Sequence, residues 1–354
     1  MKKILHIINW INVRGGEKAC LNIVKNNEGY EHHFLAHSIL DEEAKTDFAA
    51  RGTIHILPED APLSFNYPDA PALINDLSID LVHLYLPGDD LPAFILDVKI
   101  PIVLTILCTK KCNFNRIDTM RQVLVPSKYA KSLNKQLNPI VINYGVEKLD
   151  SIIDRETFCT HTLNISDGPN KVIVSRIGAI ENIKRVDDFI ILANSFAERD
   201  NIVFVLGGKC ENEAYSAWLL SHVKTPNFIY LGFCSEQEKA NLLSHTDIYL
   251  YPSEYEAFGI SIVEAMSHSL PVLSYHNTAI PEILLSKSSS DPFSVCPPYR
   301  DLNLLRVSLS SFIDNQDLRK QVGNFNYKRW ETFFKPKVYS DKVFAVYNEI
   351  LCKQ

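Results

Sequence analysis

The sequence has no apolar run approaching the ~20 residues that cross a bilayer, so no membrane-spanning helix is expected. It has no Cys-x-x-Cys pair. Its eight cysteines are scattered at 20, 108, 112, 159, 210, 234, 296 and 352, which argues against zinc and reads as reduced thiols in a cytoplasmic protein. It has no positive excess. The 36 Lys and Arg against 42 Asp and Glu leave a net charge of −6, which argues against nucleic acid as a partner. The opening Met-Lys-Lys-Ile-Leu-His-Ile-Ile lacks a small-residue cleavage site and is interrupted by Asn9, Asn12 and Arg14. It reads as a first buried strand rather than a signal peptide. No Gly-x-Gly-x-x-Gly fingerprint is present, which argues against a dehydrogenase. There is no Asp-x-Asp motif for a metal, no internal repeat, and no low-complexity segment beyond a loop at Ser286–Ser290.

What is there is a long alternation of short apolar strands with helical patterns. With 354 residues, 46% of them hydrophobic, the chain suits two domains with proper cores. The runs Ile4–Ile8, His33–Ser38, Thr53–Leu57, Leu81–Leu86, Ile102–Leu107, Val123–Val125 and Ile140–Asn143 read as strands. Lys18–Lys25 and Lys128–Leu137 have helical periodicity. A second series follows at Lys171–Ser175, Asn201–Gly208, Phe228–Gly232, Asp247–Tyr251 and Pro271–Ser274. This order predicts α/β architecture, with parallel sheets covered by helices on both faces. Residues 154–170 lose the periodicity and end in Asp167-Gly-Pro-Asn170, a turn cluster, so they read as a linker. The expected boundaries are 1–153, linker 154–170, 171–335, and a closing helix within 336–354.

The most informative stretch is 252–264, Pro-Ser-Glu-Tyr-Glu-Ala-Phe-Gly-Ile-Ser-Ile-Val-Glu. A buried strand precedes it and an amphipathic helix starts within it. A strand, a glycine-bearing turn and a helix start make an anion site, because the first helical N–H groups have no intrahelical partner. Ser253, Phe258 and Gly259 lie at that turn. Glu256 in front of it would repel phosphate but accept hydrogen bonds from sugar hydroxyls. Glu264 lies roughly 7–8 Å along the helix at ~1.5 Å per residue, a diphosphate-to-ribose distance. The combination suggests a nucleotide-sugar pocket.

Pro252-Ser-x-x-Glu-x-Phe-Gly-x-x-x-x-Glu264-Ala, continued by Pro271-Val-Leu-Ser-Tyr and Pro281-Glu282, resembles the signature of retaining GT-B glycosyltransferases of the large family-four type. Leu270 stands where that pattern has glycine. The resemblance implies two tandem doubly wound Rossmann-like domains with a cleft between them. It further implies that Arg176 and Lys184 neutralise the donor diphosphate, with Lys184 or its neighbour Arg185 making the second contact at a longer spacing than usual. Glu256, Arg176 and Lys184 are thus the catalytic candidates. Gly15 and Gly16, in Val13-Arg-Gly-Gly-Glu17, match the family's Gly-Gly-x-Glu loop one residue short. A plain strand–helix turn is the alternative there. Gly208 and Phe233, at strand ends, would bracket the nucleobase. His83 in Asp80-Leu-Val-His-Leu-Tyr85 keeps the first histidine of the family strand and Tyr85 replaces the second. Both are candidates for the acceptor side, against the plain reading of a core histidine. Leu107 and Cys108 stand where many members have His-Asp.

The resemblance implies a metal-independent hexosyltransferase without a resident cofactor, acting in surface polysaccharide or glycoconjugate assembly. Its donor would be a nucleotide diphosphate sugar and its acceptor a saccharide, lipid-linked or protein hydroxyl. A non-catalytic partner subunit and a nucleotide-sugar epimerase are the alternatives. Between Lys110 and Lys135 seven cations face one acid, Asp118, so peripheral contact with the anionic inner face of a membrane is a further expectation.

Overall fold

The computed structural model describes the chain outside residues 13–14, 26–28, 58–66, 68–69, 87, 89, 108–109, 286–295 and 354. Val13, Arg14, Cys108 and the Ser286–Ser290 loop therefore lie outside the described residues. The chain divides into two compact units, Met1–Val146 with Phe333–Gln354, and Glu147–Thr332.

The first unit contains strands β1 (Lys2–Ile7), β2 (Trp10–Ile11), β3 (Tyr30–Ala36), β4 (Ser38–Ile39), β5 (Thr53–Ile56), β6 (Leu81–Leu86), β7 (Ile102–Ile106), β8 (Met120–Val125) and β9 (Ile140–Val141). Its helices are α1 (Gly15–Val24), α2 (Glu42–Ala49), α3 (Ala70–Asp76) and α4 (Lys128–Leu133). Seven strands form one sheet in the order β5-β3-β1-β6-β7-β8-β9, parallel throughout. Every residue of β6 and β7 is buried, as a sheet covered on both faces requires. The predicted helix Lys128–Leu137 breaks at Asn134. The side chain of this buried residue accepts from Cys112 N at 2.8 Å and donates to Lys110 O at 3.2 Å, tying a loop across the helix end.

The C-terminal helix Pro336–Leu351 packs against α1 in this same unit. Ser340 Oγ donates to Ile23 O at 2.8 Å and Tyr30 Oη to Asn348 Oδ1 at 2.6 Å. Gly145 lies so close beneath it that a Cβ there would come within 2.6 Å of Pro336 Cα.

The second unit holds β10 (Val172–Ile177), β11 (Ile202–Gly207), β12 (Phe228–Gly232), β13 (Ile248–Leu250) and β14 (Val272–Leu273). Its helices are α5 (Arg155–Thr157), α6 (Val186–Asn194), α7 (Glu213–Ser221), α8 (Glu236–His245), α9 (Ile260–Ser267), α10 (Ile280–Leu284), α11 (Leu302–Asp314) and α12 (Gln316–Arg329). The parallel sheet runs β12-β11-β10-β13-β14. The chain winds outward from β10 in one direction and from β13 in the other. The boundary between β10 and β13 is therefore a topological switch point, where open α/β sheets bind ligands at the carboxyl ends of their strands.

Residues 154–170 are not a free linker. Arg155 donates to His245 O at 2.6 Å, to Lys171 O at 2.7 Å and to Asp247 Oδ2 at 2.7 Å, while Phe158, Cys159 and Leu163 are buried. The segment is polar by sequence because its anchor is an arginine that satisfies strand-end carbonyls, a role invisible to apolar periodicity.

Candidate functional site

Arg176 near the end of β10 and the loop 251–259 after β13 flank the switch point of the second unit. The neighbouring strand ends are knitted by glycine. Gly208 has φ +141, and a Cβ there would meet Gly178 O at 1.9 Å, so no other residue fits. Its N–H donates to Gly232 O at 2.7 Å and its carbonyl accepts from Tyr230 Oη at 3.0 Å. The backbone groups of Gly208 are thus committed to the sheet edge rather than presented to a ligand. Phe233, next along β12, is 66% exposed and presents an aromatic face at the same edge.

Loop 252–259 is braced from the opposite side. Asn277 Nδ2 donates to the carbonyls of Ser253 and Glu254 at 3.2 and 2.9 Å, and Glu256 N donates to Thr278 Oγ1 at 3.1 Å. These bonds fix the backbone of Glu256. Its carboxylate is fixed as well: Oε1 accepts from Lys184 Nζ at 2.7 Å and from Ser253 Oγ at 3.0 Å. Ser253, expected on the donor surface, is fully buried and serves as a prop for Glu256. The structure brings Lys184, not Arg185, to this acid. Arg185 sits at φ +49 and turns to Asp187 and Asp188, at 2.8 and 3.0 Å.

Arg176 is fully buried and has no carboxylate partner among the described residues. Its Nη2 donates to Ala179 O at 3.2 Å, and its guanidinium lies 5.2 Å from the centre of the Tyr251 ring. Nε and Nη1 have no hydrogen-bond partner among the described residues. An unsatisfied buried donor costs about 1–3 kcal/mol, more when charged, so this arrangement is uphill unless an anion completes it.

Gly259 caps α9 at φ +91, the left-handed conformation that suits glycine. Phe258 beside it is a buried plug. Glu264, further along α9, is largely buried and accepts from Lys239 Nζ of α8 at 2.5 Å, while Lys239 also pairs with Glu236 at 2.9 Å. Sequence reasoning missed Lys239 and Tyr251. Neither belongs to the quoted motif, and only the fold brings them to it.

The candidates in the first unit fare differently. Gly15 and Gly16 open α1, and a Cβ on Gly16 would meet Leu107 Cδ1 at 2.5 Å. His83 and Tyr85 have no face for an acceptor. His83 is fully buried, with Nδ1 against Tyr347 Oη of the C-terminal helix and Nε2 at 2.7 Å from Thr105 Oγ1. Tyr85 is 2% exposed and lies against the His6 and His83 rings. A strand packed on both faces has no solvent side, and the histidine's needs are met by hydroxyls. Burial pushes the His83 pKa down to about 3. Among the described residues, no group of three or more His, Cys, Asp and Glu side chains is placed to hold a metal.

Residues 163–329 match the model of a family described as glycosyl transferases group 1. The O-antigen chain mannosyltransferase B of Escherichia coli is 38% identical over 55 residues, 16% of this chain and 14% of that protein. The alpha-galactosylglucosyldiacylglycerol synthase of Streptococcus pneumoniae is 30% identical over 114 residues, 31% of this chain and 30% of that protein. The chain thus spans less than a third of the length of these two curated relatives. A crystal structure of Anabaena HepE in complex with UDP and glucose superposes with a TM-score of 0.76 at 14% identity, covering 99% of this chain and 100% of that one. That likeness is one of fold: two tandem Rossmann-like units, the GT-B class.

Proposed function

We propose, for a chain that belongs to glycosyl transferases group 1 through its residues 163–329, that it moves a hexosyl-type sugar from a nucleoside diphosphate donor to an acceptor hydroxyl, with retention and without a divalent metal. The observation that carries this reading is Arg176, a buried cation at the switch point with two nitrogens that have no hydrogen-bond partner among the described residues. A leaving diphosphate supplies what it lacks. Arg176 has no exposed surface, so contact with the anion requires its N–H fork to be uncovered on binding. Lys184 and the start of α9 add to the same field, and fixed charges of this kind stabilise a developing anion without reorganising during reaction. They take the place a metal occupies in other phosphate-transfer sites.

Glu256 then faces the donor sugar. Lys184 and Ser253 occupy part of its acceptor capacity and hold the rest in one orientation. Glu264, held by Lys239, takes the ribose hydroxyls, and Phe233 offers its ring to the base. In the reaction, the bond from the anomeric carbon to the phosphate oxygen breaks, and the bond to the acceptor oxygen forms on the same face. The acceptor proton passes to the leaving phosphate oxygen. No protein nucleophile is required, so Leu107 in place of a histidine is compatible with turnover.

The printed functions of the two curated relatives, an O-antigen mannosyltransferase and a glycolipid synthase, support a place in surface polysaccharide or glycoconjugate assembly. The UDP held by the Anabaena protein makes uridine donors the first to test. The chain is expected to work in the cytoplasm. No helix among the described residues is long and apolar enough to cross a membrane, so contact with lipid would be peripheral, through the basic stretch 110–135. The test is donor hydrolysis by the pure protein, with the anomer of the released sugar read by NMR. Retained configuration and activity that survives EDTA are expected. An inverted product or strict dependence on a divalent ion overturns the reading, and binding without turnover of any donor favours a partner subunit.

A further inference from the structure

We infer that Tyr251 is a positioning residue for Arg176, its ring holding the guanidinium in place while leaving the N–H fork unspent for a phosphate. The inference rests on the reading of this site as a nucleotide-sugar pocket and adds a residue outside the sequence motif.

Tyr251 follows β13 and is 3% exposed. Its backbone is pinned on both sides: its N–H donates to Leu273 O at 2.8 Å, and its carbonyl accepts from Ser274 Oγ at 2.5 Å. Its ring stacks on Tyr249 at 5.8 Å with 12° between the planes, and Tyr249 in turn donates to Ile177 O at 2.8 Å. The ring therefore has one available position. In that position the Arg176 guanidinium lies 5.2 Å from its centroid.

A buried guanidinium ordinarily takes a carboxylate, which would cancel its charge and fill its N–H fork. The face of an aromatic ring holds the cation through its quadrupole and accepts none of the in-plane donors. Nε and Nη1 of Arg176 consequently stay unspent. An acid in place of Tyr251 would hold the arginine more tightly and disarm it toward phosphate.

Burial, and then the charge of Glu256, push the Tyr251 pKa well above its ordinary value, so the ring stays neutral at any working pH and sets no anion beside the arginine.

The test separates the ring from the hydroxyl, using Tyr251→Phe and Tyr251→Leu with UDP as the probe. Tyr251→Phe keeps the ring. UDP affinity by titration calorimetry should stay within about twofold of the parent. Tyr251→Leu removes the platform, and UDP affinity should fall about tenfold. Melting temperatures with and without UDP identify a folding failure, in which case Tyr251→Met is read in place of the leucine variant. A Phe variant that loses as much UDP affinity as the leucine variant overturns the assignment of the role to the ring. A leucine or methionine variant that binds UDP like the parent overturns the platform. A parent that binds no nucleoside diphosphate sinks the pocket itself, an outcome distinct from both.

Discussion

Lys184 Nζ lies 2.7 Å from Glu256 Oε1, and both groups are largely shielded from water, with side-chain exposures of 20% and 9%. This cation is matched by an acid, whereas Arg176, at the neighbouring strand end, is matched by a ring and a carbonyl. The two cations of the proposed leaving-group site therefore differ in energetic state, and substitutions at them should differ in sign.

Arg176→Met removes a buried charge that has no counter-ion among the described residues. An unsatisfied buried donor costs about 1–3 kcal/mol, more when charged, so its removal relieves a penalty in the ligand-free protein. Denaturant unfolding of the ligand-free variant should give a stability at or above the parent's, while UDP no longer raises its melting temperature. Lys184→Met, by contrast, strands Glu256 and should cost about 2 kcal/mol. A large loss of ligand-free stability in Arg176→Met would show that the arginine is structural.

Glu264→Gln should weaken UDP binding about tenfold, as a charged acceptor to the ribose is lost. Lys239 is not stranded by the change, since Glu236 remains at 2.9 Å. Glu256→Gln should instead leave UDP affinity near that of the parent and harm turnover and sugar selectivity. Titration calorimetry with UDP alone decides it, and equal affinity losses in the two variants would mean the acids are misassigned.

Much of this site was legible in the sequence because its signals are local. Glu256, Gly259 and Glu264 share one strand–turn–helix, and Arg176 ends an apolar strand whose neighbours read clearly. The partners were not legible. Lys239 reaches Glu264 from another helix, and Tyr251 is indistinguishable by pattern from any aromatic that follows a buried strand. Ser253 and Gly208 had the right positions and the wrong orientation, since a sequence does not say which hydrogen bonds are already spent. His83 and Tyr85 failed for a related reason. Whether a strand histidine faces a ligand or a second layer depends on what covers it, and here the C-terminal helix, some 260 positions away, supplies Tyr347.

The histidines of the first unit predict a pH dependence. His6, His32 and His83 lie on adjacent strands, with His6 Nε2 at 3.0 Å from His32 Nδ1. Burial lowers all three, His32 to about 4 and His83 to about 3, with neighbouring imidazoles adding to the effect at His6 and His32. They are neutral when folded and bind protons near 6.5 when unfolded, so the unfolded state binds more protons across that window. Stability is fully present above pH 6.5 and is lost as the pH falls toward the folded values, by about 1.4 kcal/mol per pH unit for each histidine. Unfolding free energies at pH 7 and pH 5 should differ by several kcal/mol, and a flat profile would contradict the burial.

The seven cations between Lys110 and Lys135 are all exposed in the first unit. Clustered cations near anionic lipid contribute about 1 kcal/mol each. Co-sedimentation with vesicles containing phosphatidylserine should exceed that with neutral vesicles at low salt and fade at high salt. Reversing Lys128, Lys131 and Lys135 to Glu should abolish the preference, and equal sedimentation with both lipids would remove the idea.

Gly16 and Leu107 should be energetically coupled. A methyl group on Gly16 would sit 2.5 Å from Leu107 Cδ1. In the parent, Gly16→Ala gains about 1 kcal/mol of helix propensity in α1 and loses about 1–3 kcal/mol to overpacking. Leu107 is only partly buried and Cδ1 ends a flexible side chain, so the penalty belongs to the low end and the net change is a small loss. In a Leu107→Ala background the clash disappears and the same substitution should stabilise. A double-mutant cycle by denaturant unfolding should return a coupling of about 1 kcal/mol or more, within the range for residues in contact. Additive effects would mean that the glycine is present for something other than Leu107, and a loss of turnover in Gly16→Ala without a loss of stability would identify that something as a ligand approaching the loop.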